Sequence, residues 1–329
     1  MIGLWLLVIC AMVFAMVVLG GFTRLTESGL SMTGWRPVTG WFPPFSVEEW
    51  QAHFDAYRNS PEYQKINAGM SLDEYKEIFW LEFLHRLWGR VIGIAFAVPF
   101  AFFLIKGWLN RPLILRLSLL LILGGLQGVI GWWMVKSGLV DRPDVSQYRL
   151  ATHLLMAFLI IAMALWTALD LLSEKAIAVS AFTRGYASLI VGIIFVTVFS
   201  GALVAGLNAG VIYNTFPLMQ GELFPPEGFA VTPWYKNFFE DYATVQFQHR
   251  VLAIVSALLV FGFWYAGRTL QPEWRMRANV MLGVVALQVV MGISTLLLVV
   301  PIPLAAAHQA GAVLLLIAAI WTRHGLRTT

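Results

Sequence analysis

Long apolar runs separated by short polar breaks dominate the chain. Runs long enough to cross the hydrocarbon core, which takes about 20 residues per helix, lie at approximately 2–22, 80–106, 113–135, 150–172, 185–206, 243–267, 276–300 and 303–323. They predict eight spanning helices. The first run lacks a basic leader and a small-x-small cleavage pattern, and passes without a break into Gly20-Gly21-Phe22-Thr23-Arg24. It reads as a retained span rather than a cleaved signal.

Composition narrows the class. Hydrophobic residues make up 59% and charged residues 12% of 329, with a mean hydropathy of +0.74, against about 25% charged in soluble domains. An all-α polytopic membrane protein follows.

The short turns after spans 2, 4 and 6 carry Lys106, Arg111, Arg116, Lys175, Arg184, Arg268, Arg275 and Arg277, and the tail carries Arg323 and Arg327. Only Asp170, Glu174 and Glu273 oppose them. Lys and Arg collect in loops that stay on the cytoplasmic side, so both termini are expected there. The net charge of +4 is then a topological signature and makes no case for nucleic-acid binding.

Four histidines come in matched pairs. Glu82-Phe83-Leu84-His85-Arg86 recurs as Gln246-Phe247-Gln248-His249-Arg250, and each copy is followed by another histidine, His153 or His308, at the start of a later run. All four fall in the first turns of even-numbered spans, hence at one depth in the outer half of the membrane. Intramembrane histidines are costly and need a partner or a task. Zinc wants three or four protein ligands, whereas two opposed imidazoles suit a heme iron, whose other ligands come from the porphyrin. His53 and His324 lie in a loop and a tail, have no repeat partner, and read as incidental.

The halves align by motif. Gly20 to Leu25 answers Ser200 to Leu207, and Gln127 and Gly131 answer Gln288 and Gly292. Four spans per half in the same order predict two pseudo-symmetric four-helix bundles, residues 1–173 and 184–329, joined by a polar connector containing Ser173, Glu174, Lys175 and Thr183. The outer loops, 23–79 and 207–242, are unequal, and loops of this length usually cover a site. Beneath each leading histidine runs a stripe of small residues, Gly89 and Gly93 or Ala253 and Ala257, which leaves room for a flat macrocycle and equally permits close helix packing.

Glu82 stands three residues before His85, on the same helix face, and its counterpart Gln246 cannot ionise. A carboxylate at this depth has either a partner, such as Arg86, Arg90 or Arg24, or a chemical task. The asymmetry is the expectation that chemistry belongs to the first half and a permanent cofactor to the second.

Taken together, Gly20-Gly21-Phe22-Thr23-Arg24-Leu25-Thr26-Glu27-Ser28-Gly29-Leu30-Ser31-Met32, Glu82-x-x-His85-Arg86, Asn208-Ala209-Gly210, Tyr213-Asn214-Thr215-Phe216-Pro217-Leu218-Met219 and Gln246-x-x-His249-Arg250 resemble the heme A synthase family, in the branch shared by mitochondria and proteobacteria. The resemblance covers essentially the whole chain. It implies a membrane oxidoreductase that converts heme O to heme A for cytochrome oxidase assembly, by hydroxylating a porphyrin methyl and losing water from a geminal diol. It implies a resident heme b on His249 and His308, a substrate heme bracketed by His85 and His153, and Glu82 acting at the methyl carbon. It further implies the bacterial or mitochondrial inner membrane and a handover from heme O synthase, a farnesyltransferase.

The chain departs from some members in one respect. The only cysteine is Cys10, inside span 1, so no outer-loop disulfide exists to relay electrons; the electron acceptor stays open. Arg24, Arg86, Arg90 and Arg250 are candidates for the heme propionates. Two other classes compete: a diheme cytochrome b, which leaves the Glu82/Gln246 difference unexplained, and a repeat-built transporter, which leaves the paired histidines unexplained.

Overall fold

A computed structural model describes residues 1–36, 38–140, 143–172, 176–268 and 271–328. Among these, eight helices are long and apolar enough to cross a membrane: α1 (Ile2–Leu25), α4 (Leu72–Ile105), α5 (Arg111–Gly138), α6 (Gln147–Leu172), α7 (Ala181–Gly206), α9 (Tyr242–Gly267), α10 (Pro272–Leu297) and α11 (Ile302–His324). Three short helices, α2 (Val47–Arg58), α3 (Pro61–Lys65) and α8 (Asn237–Glu240), sit in the outer loops. Ser173, Glu174 and Lys175, where the connector between halves was expected to open, lie outside the described residues.

Local chemistry fixes the helix starts. Asn110, Ser180 and Asp241 accept from the third residue of α5, α7 and α9 respectively, satisfying donors that a helix leaves unpaired at its N-terminus. At α4, Ser71 and Glu74 form a capping box, which starts the helix at Leu72, eight residues before the apolar run. His85 therefore lies 85 − 72 = 13 residues into its helix, about four turns, and not in its first turns. His153, His249 and His308 are within the first eight residues of α6, α9 and α11.

Two compact units are distinguished: residues 11–160, and residues 1–10 with 161–329. In the first, Trp88 of α4 donates to Met12 O of α1 at 2.9 Å, α4 packs along α5, and Arg149 of α6 donates to Trp133 O of α5 at 2.7 Å. In the second, α7 packs on α9 and α11, and α10 on α9 and α11, closing a ring of four. The ends of α1 and α6 that belong to this unit meet where Leu172 covers Gly3 and the Cys10 thiol faces Ile161 O at 3.9 Å. His324 is not incidental. It is 3% exposed, bonded through Nε2 to Asp170 Oδ1 at 2.8 Å, and edge-on to Trp166. A two-stranded parallel ribbon, β1 (Ile177–Val179) with β2 (Leu326–Thr328), ties the tail beside it.

The first outer loop packs on the start of α4 through Phe54, Tyr57, Tyr75, Phe79 and Phe83, with Tyr57 and Tyr75 stacked at 5.2 Å between ring centroids. Under this aromatic cap lies Glu62, 2% exposed, whose carboxylate accepts from Tyr57 Oη at 3.1 Å. Burial pushes the Glu62 carboxyl up to about 8, and the charges of Glu82, Glu27 and Asp144 push the same way against the Tyr57 hydrogen bond. Folded protein thus keeps a proton that the unfolded chain releases near 4.5. The stability this gives is complete below 4.5 and lost as pH rises to about 8, at about 1.4 kcal/mol per pH unit in that window. Glu62→Gln should therefore raise the melting temperature at pH 8 and change it little at pH 4.5. An equal shift at both pH values contradicts the assignment.

Candidate functional site

Each paired histidine lies against a glycine of the preceding spanning helix. His85 of α4 meets Gly20 of α1, His153 of α6 meets Gly131 of α5, His249 of α9 meets Gly201 of α7, and His308 of α11 meets Gly292 of α10. A methyl on those glycines would stand 3.0, 3.0, 2.9 and 2.8 Å from the imidazole Cε1. Cε1 is the nearest ring atom in every case, with Nδ1 and Nε2 both farther off, so each ring meets its glycine edge-on and turns its two nitrogens to either side. Only a residue without Cβ lets the ring sit there.

His85 and His153 lie within electrostatic reach of each other, as do His249 and His308, and each pair belongs to one compact unit. No third His, Cys, Asp or Glu joins either pair among the described residues to make a metal-binding group.

Second-layer contacts repeat too. Gln127 Nε2 donates to His153 O at 3.0 Å, and Gln288 Nε2 to His308 O at 2.9 Å. These bonds fix the backbone of the second histidine in each pair from the helix that also supplies its glycine. The Nδ1 atoms of His153, His249 and His308 are buried without a side-chain hydroxyl such as His85 has; the backbone of Thr197 faces His249 and that of Gln288 faces His308.

His85 differs. Its Nδ1 is 3.2 Å from Thr23 Oγ1, and that hydroxyl already donates to Leu19 O at 2.9 Å. Thr23 must therefore accept, which puts the His85 proton on Nδ1 and leaves Nε2 with a free lone pair. The second repeat has Val204 where Thr23 stands.

Glu82 is 3% exposed and saturated with donors. Its Oε2 accepts from Ser31 Oγ and Met32 N, both at 2.7 Å, and its Oε1 from Arg86 Nη2 at 2.5 Å. Gln246 occupies the matching place with the opposite need. Its Nε2 donates to Ala209 O at 2.8 Å, while its Oε1 accepts from Arg250 at 2.9 Å. The acid-to-amide difference follows the partner in each loop, two donors in the first and a carbonyl in the second. Both residues latch a loop to a helix.

The arginines belong to the same latches. Arg86 donates to Gly34 O at 2.7 Å and Met32 O at 2.8 Å, and Arg90 to Arg36 O at 2.6 Å. Arg250 donates to Tyr213 O at 2.7 Å and Thr215 O at 2.8 Å. The structure thus gives Arg86, Arg90 and Arg250 loop carbonyls as partners. In the small-residue stripe, Gly89 packs on Met16 while Gly93 faces open space.

Two pairs of half-buried imidazoles, each ring seated on a glycine and lacking a third metal-ligating neighbour among the described residues, suit a group that brings its own equatorial ligands; heme is such a group. The class so defined is a multi-pass helical membrane protein with two glycine-seated histidine pairs. The chain belongs to the COX15-CtaA family of cytochrome oxidase assembly proteins, whose model matches residues 3–320. It is 52% identical to a heme A synthase of Nitrosospira multiformis, over 99% of this chain and 93% of that protein. A heme A synthase of Parvibaculum lavamentivorans is 51% identical over 99% of this chain and 94% of its own. Heme A synthase COX15 of Arabidopsis thaliana is 47% identical over 99% of this chain and 74% of its own.

The glycines were visible in the sequence as repeat markers, but their role against the imidazoles was not, because it depends on which helices become neighbours. Thr23, Ser31 and the Met32 amide carried no signal of their own outside the Gly20–Met32 run. The seats make a direct prediction. Gly292→Ala puts a methyl 2.8 Å from His308 Cε1, so the ring must move by several tenths of an ångström. Purified Gly292→Ala should fold yet retain clearly less heme by pyridine hemochrome assay. Full retention shows that the seat is not needed.

Proposed function

We propose that the chain is a heme A synthase, oxidising a methyl group of heme O to the formyl group of heme A for cytochrome oxidase assembly. The observation that carries this reading is the pairing of four glycine-seated imidazoles, two to a unit, in a chain about half identical over nearly its full length to proteins named heme A synthase. Converting CH3 to CHO consumes one water and releases four protons and four electrons. With Cys10 its only cysteine, the chain has no intrachain disulfide to take the electrons, and they leave by way of heme b, an external partner or quinone.

The roles divide between the halves, 1–173 for substrate and 184–329 for the resident cofactor. His249 and His308 hold a heme b, which supplies a one-electron centre when bound. His85 and His153 bracket the iron of substrate heme O, with Thr23 fixing the tautomer that leaves His85 Nε2 available. Glu82, one turn before His85, serves as the carboxylate at the reacting methyl while it also holds Ser31 and Met32 of the loop above. The first outer loop acts as a lid over the substrate side. The protein works in a bacterial or mitochondrial inner membrane with both termini on the cytoplasmic or matrix side, and receives heme O from heme O synthase.

The test is co-expression with a heme O synthase, followed by acid extraction and chromatography of the hemes. A formyl-bearing heme is expected. Heme b alone, with heme O supply verified, would identify a diheme cytochrome instead.

A further inference from the structure

A groove apart from the histidines lies at the ends of α6, α7 and α11 that face the C-terminal tail. Met163 and Trp166 of α6, Val191 of α7 and Ile320 of α11 wall a space of about 320 Å³, which Ser188 and Arg323 also line. The walls are almost wholly apolar. The exception is a cation held in a fixed place: Arg323 Nε donates to Ser188 Oγ at 2.6 Å, and its guanidinium carbon lies 5.7 Å from the Trp166 ring centroid.

Two facts about that cation call for an anion. Arg323 Nη1 is buried and makes no hydrogen bond, and a buried guanidinium donor without an acceptor is costly. Arg184 and Arg327 also lie within electrostatic reach of Arg323, and Arg327 is carried there by the β1–β2 pairing. Three arginines, on α7, α11 and β2, thus gather at one end of these helices beside an apolar groove. A phosphodiester offers the acceptor oxygens and the charge that guanidinium groups bind in forked geometry, and the apolar wall suits a hydrocarbon chain.

We propose that this groove binds one anionic phospholipid, with the phosphate on Arg323, supported by Arg184 and Arg327, and an acyl chain along Met163, Val191 and Ile320. The three elements are spanning helices, so lipid is the surrounding medium and the site selects a headgroup from it.

The experiment is native mass spectrometry of the delipidated full chain titrated with phosphatidylglycerol or with phosphatidylcholine of the same acyl composition. Wild type should bind the anionic lipid about tenfold more tightly, and Arg323→Gln should bind both alike. Val191→Trp, which fills the groove without touching charge, should weaken both lipids and keeps the test decisive if Arg323→Gln fails to fold. Equal binding of the two lipids by wild type, an unchanged preference in Arg323→Gln, or undiminished binding by Val191→Trp overturns the proposal. So does displacement of phosphatidylglycerol by equimolar inorganic phosphate, which would mark a free-anion site.

Discussion

Alanine at His249 or His308 will cost the protein its resident heme, with occupancy falling by tenfold or more, whereas alanine at His85 or His153 will leave that heme in place and abolish heme A formation. Loss of an outer-shell partner alone costs a metal site about 10–100-fold in affinity, and removal of a residue that would itself hold the iron is more severe. The two imidazoles of a pair come from different helices, α9 and α11 or α4 and α6, and each is independently fixed by its glycine seat. Removing one therefore leaves the other correctly placed but alone. The measurement is a reduced-minus-oxidised spectrum of each purified variant beside its extracted hemes. Equal heme loss from all four variants would remove the division of roles between the halves.

One ring of the first pair differs at Nδ1 from the other three. His85 is locked in one tautomer by the Thr23 hydroxyl, while the other three rings have buried Nδ1 atoms without such a bond. A ligand whose lone pair is always presented on Nε2 suits a site that must take up and release its heme repeatedly.

How far these features were legible depended on the kind of interaction involved. The eight spans were readable because a bilayer imposes a length and an apolarity that no soluble core requires, and seven of them begin within four residues of the run that announced them. The histidine pairs were readable because a duplicated intramembrane imidazole has few uses. The start of α4 was missed by eight residues, since the Ser71/Glu74 capping box outweighs the polarity of Asp73, Glu74 and Lys76. His324 looked incidental only because Asp170, its partner, lies 154 residues away. Loop contacts were the least legible: nothing in Met32 or Ala209 as residue types tells that one offers a backbone N–H, and the other a carbonyl, to the residue three before a histidine.

That last contrast governs what Glu82→Gln will show. In the wild-type protein both carboxylate oxygens accept, one from Ser31 and Met32 and the other from Arg86, so the amide group of a glutamine must face a donor whichever way it turns. The latch loses one bond, at a cost of about 1–3 kcal/mol, but Arg86 keeps its bonds to Gly34 O and Met32 O and the loop should stay in place. Gln246→Glu is the reciprocal change. It opposes a carboxylate to Ala209 O, where the amide now donates at 2.8 Å, and should destabilise by a similar amount. If Glu82 is only a latch, the two variants lose heme A output in proportion to the folded protein lost. If it also acts at the methyl, Glu82→Gln alone loses a further 100-fold or more per folded molecule, the usual scale for removing a general acid or base. The second outcome is expected, with the resident heme spectrum unchanged. Heme A yield per folded molecule equal to that of Gln246→Glu would confine Glu82 to its structural role.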